Sequence, residues 1–115
     1  MFLNNWVEVL KKNRTASATL LEHHPKLMSG FRGLNEAQGG TGTLDAKTRE
    51  LIALAVAVTT RCEGCIASHA QAAKAAGVTE AELAEAMSTA IALNAGAAYV
   101  YSLKAMDALK TFQQA

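Results

Sequence analysis

Residues 50–77 read ELIALAVAVTTRCEGCIASHAQAAKAAG and contain both cysteines of the protein, Cys62 and Cys65. One of the three histidines, His69, follows four positions after the second cysteine, and an apolar run at 51–58 precedes the pair. An apolar run without polar positions is typical of a buried helix. The spacing of the cysteines and the histidine predicts a second helix that carries thiol chemistry, with the rest of the chain packing around it.

The geometry of an ideal helix places these three side chains relative to one another. Cys62 and Cys65 fall on adjoining turns of one face, with α-carbons about 5 Å apart, a separation that a disulfide can bridge. His69 lies one turn beyond Cys65 but two turns, or about 10 Å, from Cys62. We therefore expect the imidazole to reach Cys65, directly or through one water, and not Cys62.

Two assignments of the reactive sulfur follow from this placement. Cys62 stands at the start of the predicted helix, where free amides stabilise a thiolate. Cys65 has a base within reach, because the imidazole of His69 can take the thiol proton. We favour Cys65 as the sulfur that meets an oxidant and Cys62 as the partner that resolves the sulfenic acid into a disulfide.

Glu50 precedes the apolar run, where the helix passes from water into the core. A carboxylate at such an edge needs a partner. If the two helices pack together, Glu50 can orient His69 and make it a better base. The alternatives are that Glu50 pairs with Lys47 on its own helix and that His69 is a core histidine.

Composition favours one all-α domain over residues 1–115. Half of the 115 residues are hydrophobic, many of them alanine, and there is one proline. This balance predicts helices rather than strands. We expect a compact bundle of about six or seven helices, the sixth opened by a capping box of Thr79 and Glu82. The predicted helices cover 5–13, 15–23, a segment from Pro25 to the glycines at 39–40, 44–59 with Thr43 as cap, 61–77, 80 to about 95, and 97–112.

Charge and hydropathy exclude several classes of partner. The formal net charge is +1, so no basic surface for nucleic acid is expected. The apolar run at 51–58 is too short to span a membrane. The N-terminal segment at 1–13 is not typical of a secretory signal. We therefore expect a cytoplasmic protein, in which a close cysteine pair is typically catalytic or metal-binding.

The stretch resembles the AhpD-like alkylhydroperoxidase domain of the carboxymuconolactone decarboxylase superfamily. The resemblance rests on Glu50, on Cys62 twelve positions later, on Cys65 and His69, and on the continuation A-x-x-A-G-V-T-x-x-E. HPKLMSGF and LDAKTRELIALAV are similar to the segments that lead into this motif, and the likeness covers residues 24–112.

The resemblance implies an all-helical fold, assembly into homo-trimers or homo-hexamers, and reduction of a small hydroperoxide by the cysteine pair. It makes Cys65 the peroxide-reactive thiol, Cys62 the resolving thiol, and Glu50 and His69 the proton relay. An external dithiol or protein reductant would reopen the disulfide, and no cofactor or metal is implied. Members with redox activity carry a histidine just before the second cysteine. This chain has Gly64 there, which predicts a shorter or weaker relay.

The sequence leaves open other interpretations besides the peroxidase. A lyase acting on a lactone ring acid, as elsewhere in the superfamily, would need an acid–base pair but no cysteines. A non-enzymatic oligomer could sense redox state or bind zinc through Cys62, Cys65 and His69, with Glu50 or His23 as fourth ligand. The two cysteines could also be inert core residues.

Overall fold

The structure is a computed structural model that describes residues 3–115. Met1 and Phe2, which begin the segment considered as a leader, lie outside the described residues. The described chain is all-helical, as predicted, but it contains five helices rather than six or seven. They are α1 (Trp6–His23), α2 (Pro25–Glu36), α3 (Ala46–Thr60), α4 (Glu63–Ala75) and α5 (Glu80–Gln113).

Two predicted breaks are wrong. The helices expected at 5–13 and 15–23 are one helix, α1, because no glycine or proline separates them. The helices expected on either side of Gly96 are also one, the 34-residue α5. A glycine inside a helix costs only about 1 kcal/mol, and the alanines around Gly96 favour continuation.

Side-chain caps set where the helices begin. Asp45, rather than the predicted Thr43, caps α3, and its carboxylate accepts a hydrogen bond of 2.7 Å from the Thr48 amide. This bond lowers the pKa of Asp45. The capping box predicted at the start of α5 is present, with reciprocal bonds of 3.1 and 2.9 Å between Thr79 and Glu82.

Helix α3 packs against α4 and α5, while α1 packs against α4 and α2. The core among the described residues is small and consists mainly of alanine. Its buried apolar residues are Leu54, Ala57, Ala67, Ala73 and Ala90. The buried alanines allow α3 to approach α4 and α5 closely. Leu54 is the one large side chain among the buried apolar residues.

The single chain is not the compact bundle that its length predicts. Its radius of gyration is 18.9 Å, whereas a compact domain of this length has about 13 Å. Its accessible surface is 9177 Å², against about 6,000 Å² for a compact monomer of this mass. Apolar residues of α2, such as Phe31, are exposed, and so is an apolar stripe on the second half of α5 that consists of Val100, Leu103, Met106 and Leu109.

None of the helices within residues 3–115 is both long and apolar enough to span a membrane.

Candidate functional site

The turn between α3 and α4 places the cysteine pair. Arg61 ends α3 in the left-handed conformation, with φ of 57°, and Cys62 follows in an extended conformation. The Cys62 amide donates a hydrogen bond of 3.0 Å back to the carbonyl of Ala57. Helix α4 therefore starts at Glu63, not near Arg61 as predicted, and Cys62 is its cap rather than a residue of its first turn.

Cys62 and Cys65 form a disulfide across the first turn of α4. Their α-carbons are 5.2 Å apart, in agreement with the spacing expected for one helical turn. The Cys62 sulfur accepts a hydrogen bond of 3.2 Å from the Cys65 amide. Cys62 is half-buried, whereas Cys65 is exposed. The sulfur of Cys62 is thus held against the helix amides, and that of Cys65 is accessible from outside.

Glu50 and His69 join α3 to α4. The Nδ1 atom of His69 lies 2.7 Å from a carboxylate oxygen of Glu50, and both side chains are largely covered, at 26% and 16% exposed. With Nδ1–H donating to the carboxylate, Nε2 remains as the nitrogen that can accept a proton. Lys47 does not pair with Glu50, because it contacts Glu82 on α5 at 3.1 Å.

A cleft of about 420 Å³ opens over this region, a size suited to a small organic molecule. Both Cys65 and His69 line it, while Cys62 and Glu50 do not. Most of its wall is aliphatic and comes from α3. The lining residues are Gln38, Gly39, Leu44, Arg49, Ile52, Ala53, Val56, Ala57, Thr60, Cys65 and His69. The exposed sulfur and the imidazole therefore face one apolar cleft.

Gly64, between the two cysteines, has a structural reason to lack a side chain. The side-chain amide of Asn13 on α1 occupies the space that a Cβ at Gly64 would need. A side chain at this position would require the Asn13 amide to move.

The zinc alternative has no ligand set in this geometry. Within the range 3–115, no three side chains of the Cys, His, Asp or Glu kinds come together as ligands to one metal ion. The two sulfurs are joined to each other, and Glu50 is engaged by His69.

Sequence reasoning missed the far wall of the cleft. That wall is the connection between α2 and α3, which includes Gln38, Gly39 and Leu44, together with Arg49 at the start of α3. The signal available was the glycine-rich segment GGTGT at 39–43, which indicates a loop that can fold back on the helices. Nothing in the spacing of the residues indicates that this loop returns to the cysteine pair.

Comparisons with known proteins agree with this architecture. The model of the carboxymuconolactone decarboxylase family matches residues 25–108. A solved apo structure of a protein of that family from Legionella pneumophila is similar, with a TM-score of 0.72 and 36% identity over 93% of this chain and 96% of that one. A protein from Methanobacterium thermoautotrophicum has a TM-score of 0.67 and 36% identity over 74% of this chain and 96% of its own.

Relatives by sequence carry no described activity. A Haemophilus influenzae protein is 53% identical over 104 residues, which are 90% of this chain and 92% of the relative. A protein of the cox locus of Paracoccus denitrificans is 39% identical over 79 residues, which are 69% of this chain and 71% of the relative. Both are called uncharacterized.

Proposed function

Because the chain belongs to the carboxymuconolactone decarboxylase family, and because its exposed cysteine shares a cleft with a histidine, we propose that it is a thiol-dependent peroxidase. The family contains both decarboxylases and peroxidases, so the site has to discriminate between them. The observation that carries the proposal is that Cys65 and His69 line one apolar cleft, with Glu50 hydrogen-bonded to His69 from behind.

The first half of the proposed reaction oxidises the pair. His69 takes the thiol proton of Cys65, and the thiolate attacks one peroxide oxygen and breaks the O–O bond. Cys65 becomes a sulfenic acid, and the other oxygen leaves as an alcohol after receiving the proton. The Cys62 thiol then attacks the Cys65 sulfur, which forms the disulfide and releases one water.

The second half restores the thiols. An external dithiol or protein reductant attacks the disulfide through a mixed disulfide, and it leaves oxidised by two electrons. Cys62 suits the resolving role because its sulfur lies against the amide of Cys65 at the start of α4, where a thiolate is stabilised. Such a cycle runs in a compartment that supplies thiol reductant, as expected for a cytoplasmic protein.

The test is peroxide consumption with cumene hydroperoxide and dithiothreitol. We expect Cys65→Ser to abolish turnover. Without dithiothreitol, Cys62→Ser should reduce about one equivalent of peroxide and leave a sulfenic acid on Cys65, which dimedone traps for mass spectrometry. Full activity in Cys65→Ser would contradict the assignment, and activity that survives thiol alkylation would favour the lyase alternative.

His69 and Glu50 are tested in the same assay. Loss of a general base typically costs about 10²- to 10⁴-fold in rate, so His69→Asn should fall in that range. Glu50→Gln should cost less and should change the pH profile of kcat/KM, because the amide still accepts from Nδ1 but carries no charge. An unchanged profile in Glu50→Gln would remove Glu50 from the relay.

We further propose that the protein functions as a homo-oligomer, either a trimer or a hexamer. The exposed apolar stripe on the second half of α5 and the large accessible surface of the single chain support this assembly. The excess surface of about 3,000 Å² over a compact monomer is in the range that permanent interfaces bury.

A further inference from the structure

Arg49 is the cationic side chain of the cleft that the peroxidase cycle does not use. It precedes Glu50 on α3, yet the two side chains have different surroundings. Glu50 contacts His69, whereas Arg49 lines the cleft together with Cys65 and His69. A positive charge therefore stands in the same apolar cleft as the reactive sulfur.

The loop between α2 and α3 holds Arg49 in place from two sides. Its Nη1 atom donates a hydrogen bond of 3.2 Å to the carbonyl of Leu44. Its guanidinium also occupies the space where a Cβ at Gly39 would stand, and Gly39 has a φ of +67°. A residue with a Cβ at this position would collide with the guanidinium, so the glycine allows Arg49 to lie against the loop.

The Arg49 guanidinium has N–H donors that its described hydrogen bond does not use. Arginine carries five N–H donors, and the described contacts of Arg49 use one of them, toward a neutral carbonyl. Neither of the two ion pairs found within residues 3–115, Lys47–Glu82 and His69–Glu50, includes Arg49, and its charge acts on the Asp45 carboxylate without forming an ion pair. A guanidinium with free, planar donors matches a carboxylate in a bidentate pair.

The rest of the cleft favours an apolar body. Ile52, Ala53 and Val56 of α3 contribute aliphatic side chains to the wall of the cleft. Ile52 and Val56 remain about half exposed, at 49% and 54%, so a ligand can cover them. Burial of such apolar surface favours binding by about 25 cal/mol per Å².

From these contacts, and resting on the proposed peroxidase function, we infer that Arg49 selects small organic hydroperoxides that carry a carboxylate. The carboxylate pairs with Arg49, the apolar body covers α3, and the peroxide group meets Cys65. Hydrogen peroxide and uncharged hydroperoxides would react at the same sulfur without this contact.

The test uses two substrates that differ in one charge, para-carboxycumene hydroperoxide and its methyl ester. A charge-assisted hydrogen bond contributes about 1.5–3 kcal/mol, so we expect kcat/KM for the acid to exceed that for the ester by about 10- to 100-fold. Arg49→Gln should bring this ratio close to one, because the carboxylate then has no charged partner in the cleft. Arg49→Lys should give an intermediate ratio, and Arg32→Gln, on α2, should preserve the full ratio.

The outcomes separate the two proposals. If the wild type reduces both substrates at equal rates, the selection by Arg49 is wrong while the peroxidase function stands. If the wild type reduces neither, the peroxidase function is wrong. Calorimetric titration with para-carboxycumyl alcohol, the expected product, then measures binding at the Arg49 site without any turnover. Equal affinity of the wild type and Arg49→Gln for this alcohol would overturn the proposed carboxylate site. Circular dichroism of Arg49→Gln and Arg49→Lys checks that each variant folds.

Discussion

Helices α3 and α4, called the inner region below, bury apolar residues, whereas the second half of α5, called the outer region, exposes them. Between α3 and α4, a few small side chains around Leu54 pack closely and fix a cysteine pair, a histidine and a carboxylate. Along the second half of α5, larger apolar side chains such as Leu103 and Met106 remain exposed. Within one chain, Glu50 and His69 are thus brought together, whereas the apolar side chains at the end of α5 stay uncovered, which is the observation that supports the proposed homo-oligomer.

The largest effect on stability should come from the inner region. Leu54 is 4% exposed and is the large side chain among the buried residues. Leu54→Ala should lower the free energy of unfolding by about 2–5 kcal/mol, because it removes buried methyl groups and leaves a cavity. Guanidinium-induced unfolding followed by circular dichroism measures this change.

Leu109→Ala, on the exposed stripe of α5, is the matched control. It removes the same atoms from a residue that is 54% exposed in the single chain. We expect its effect to be smaller and to depend on protein concentration, since it acts through association. If Leu54→Ala and Leu109→Ala lower the free energy of unfolding equally and at every protein concentration, the division into two regions is wrong.

The second prediction concerns the exposed stripe itself. Met106→Asp places a charge at the centre of this stripe and should reduce the mass measured by light scattering to that of one chain, since burial of an unpaired charge is unfavourable. Ala108→Asp introduces the same charge on the opposite side of α5 and should leave the mass unchanged. Should both variants remain associated, the interface must lie elsewhere.

A third prediction tests the contact between α1 and the cysteine turn. Gly64→Ala in the wild type should bring a methyl group against Asn13. In an Asn13→Ala background the same change should instead stabilise the protein by up to about 1 kcal/mol, through helix propensity. The coupling energy from the double-mutant cycle should fall within about 0.5–3 kcal/mol, and additive effects would show that α1 does not pack against Gly64.

The smallest expected effect concerns Glu82 and the dependence of protein stability on pH below neutrality. Hydrogen bonds from the Thr79 amide and then from Lys47 lower the pKa of Glu82 below its ordinary value of 4.5. The unfolded chain therefore takes up a proton first as pH falls, and the stabilisation present above pH 4.5 is lost as pH drops through the folded pKa. Glu82→Gln should flatten this part of the curve in thermal unfolding from pH 7 to pH 3, while an identical acid slope would contradict the role of Glu82.

Much of the inner region follows from local rules. The capping box at Thr79 and the spacing of the cysteine α-carbons depend on residues within one turn. The contact between Glu50 and His69 depends only on the packing of two consecutive helices. The prediction of Thr43 as cap of α3 is wrong because Asp45, a residue type that caps helices at least as well, lies two positions later.

The outer region and the far wall of the cleft depend on contacts that the sequence does not display. The continuation of α5 through Gly96 reflects the sum of many alanine propensities rather than one residue. Arg61 adopts a left-handed conformation that usually signals glycine. The return of Gly39 to the guanidinium of Arg49 is a tertiary contact, and the charge in the cleft was therefore not predicted.

The central claim is that Cys62 and Cys65 form one redox pair that a peroxide oxidises. A free-thiol titration of the native, reduced protein, before and after one equivalent of cumene hydroperoxide per chain, tests it most directly. We expect both thiols of the chain to be present before the addition and neither to remain after it. Retention of both thiols, or loss of one only, would contradict it.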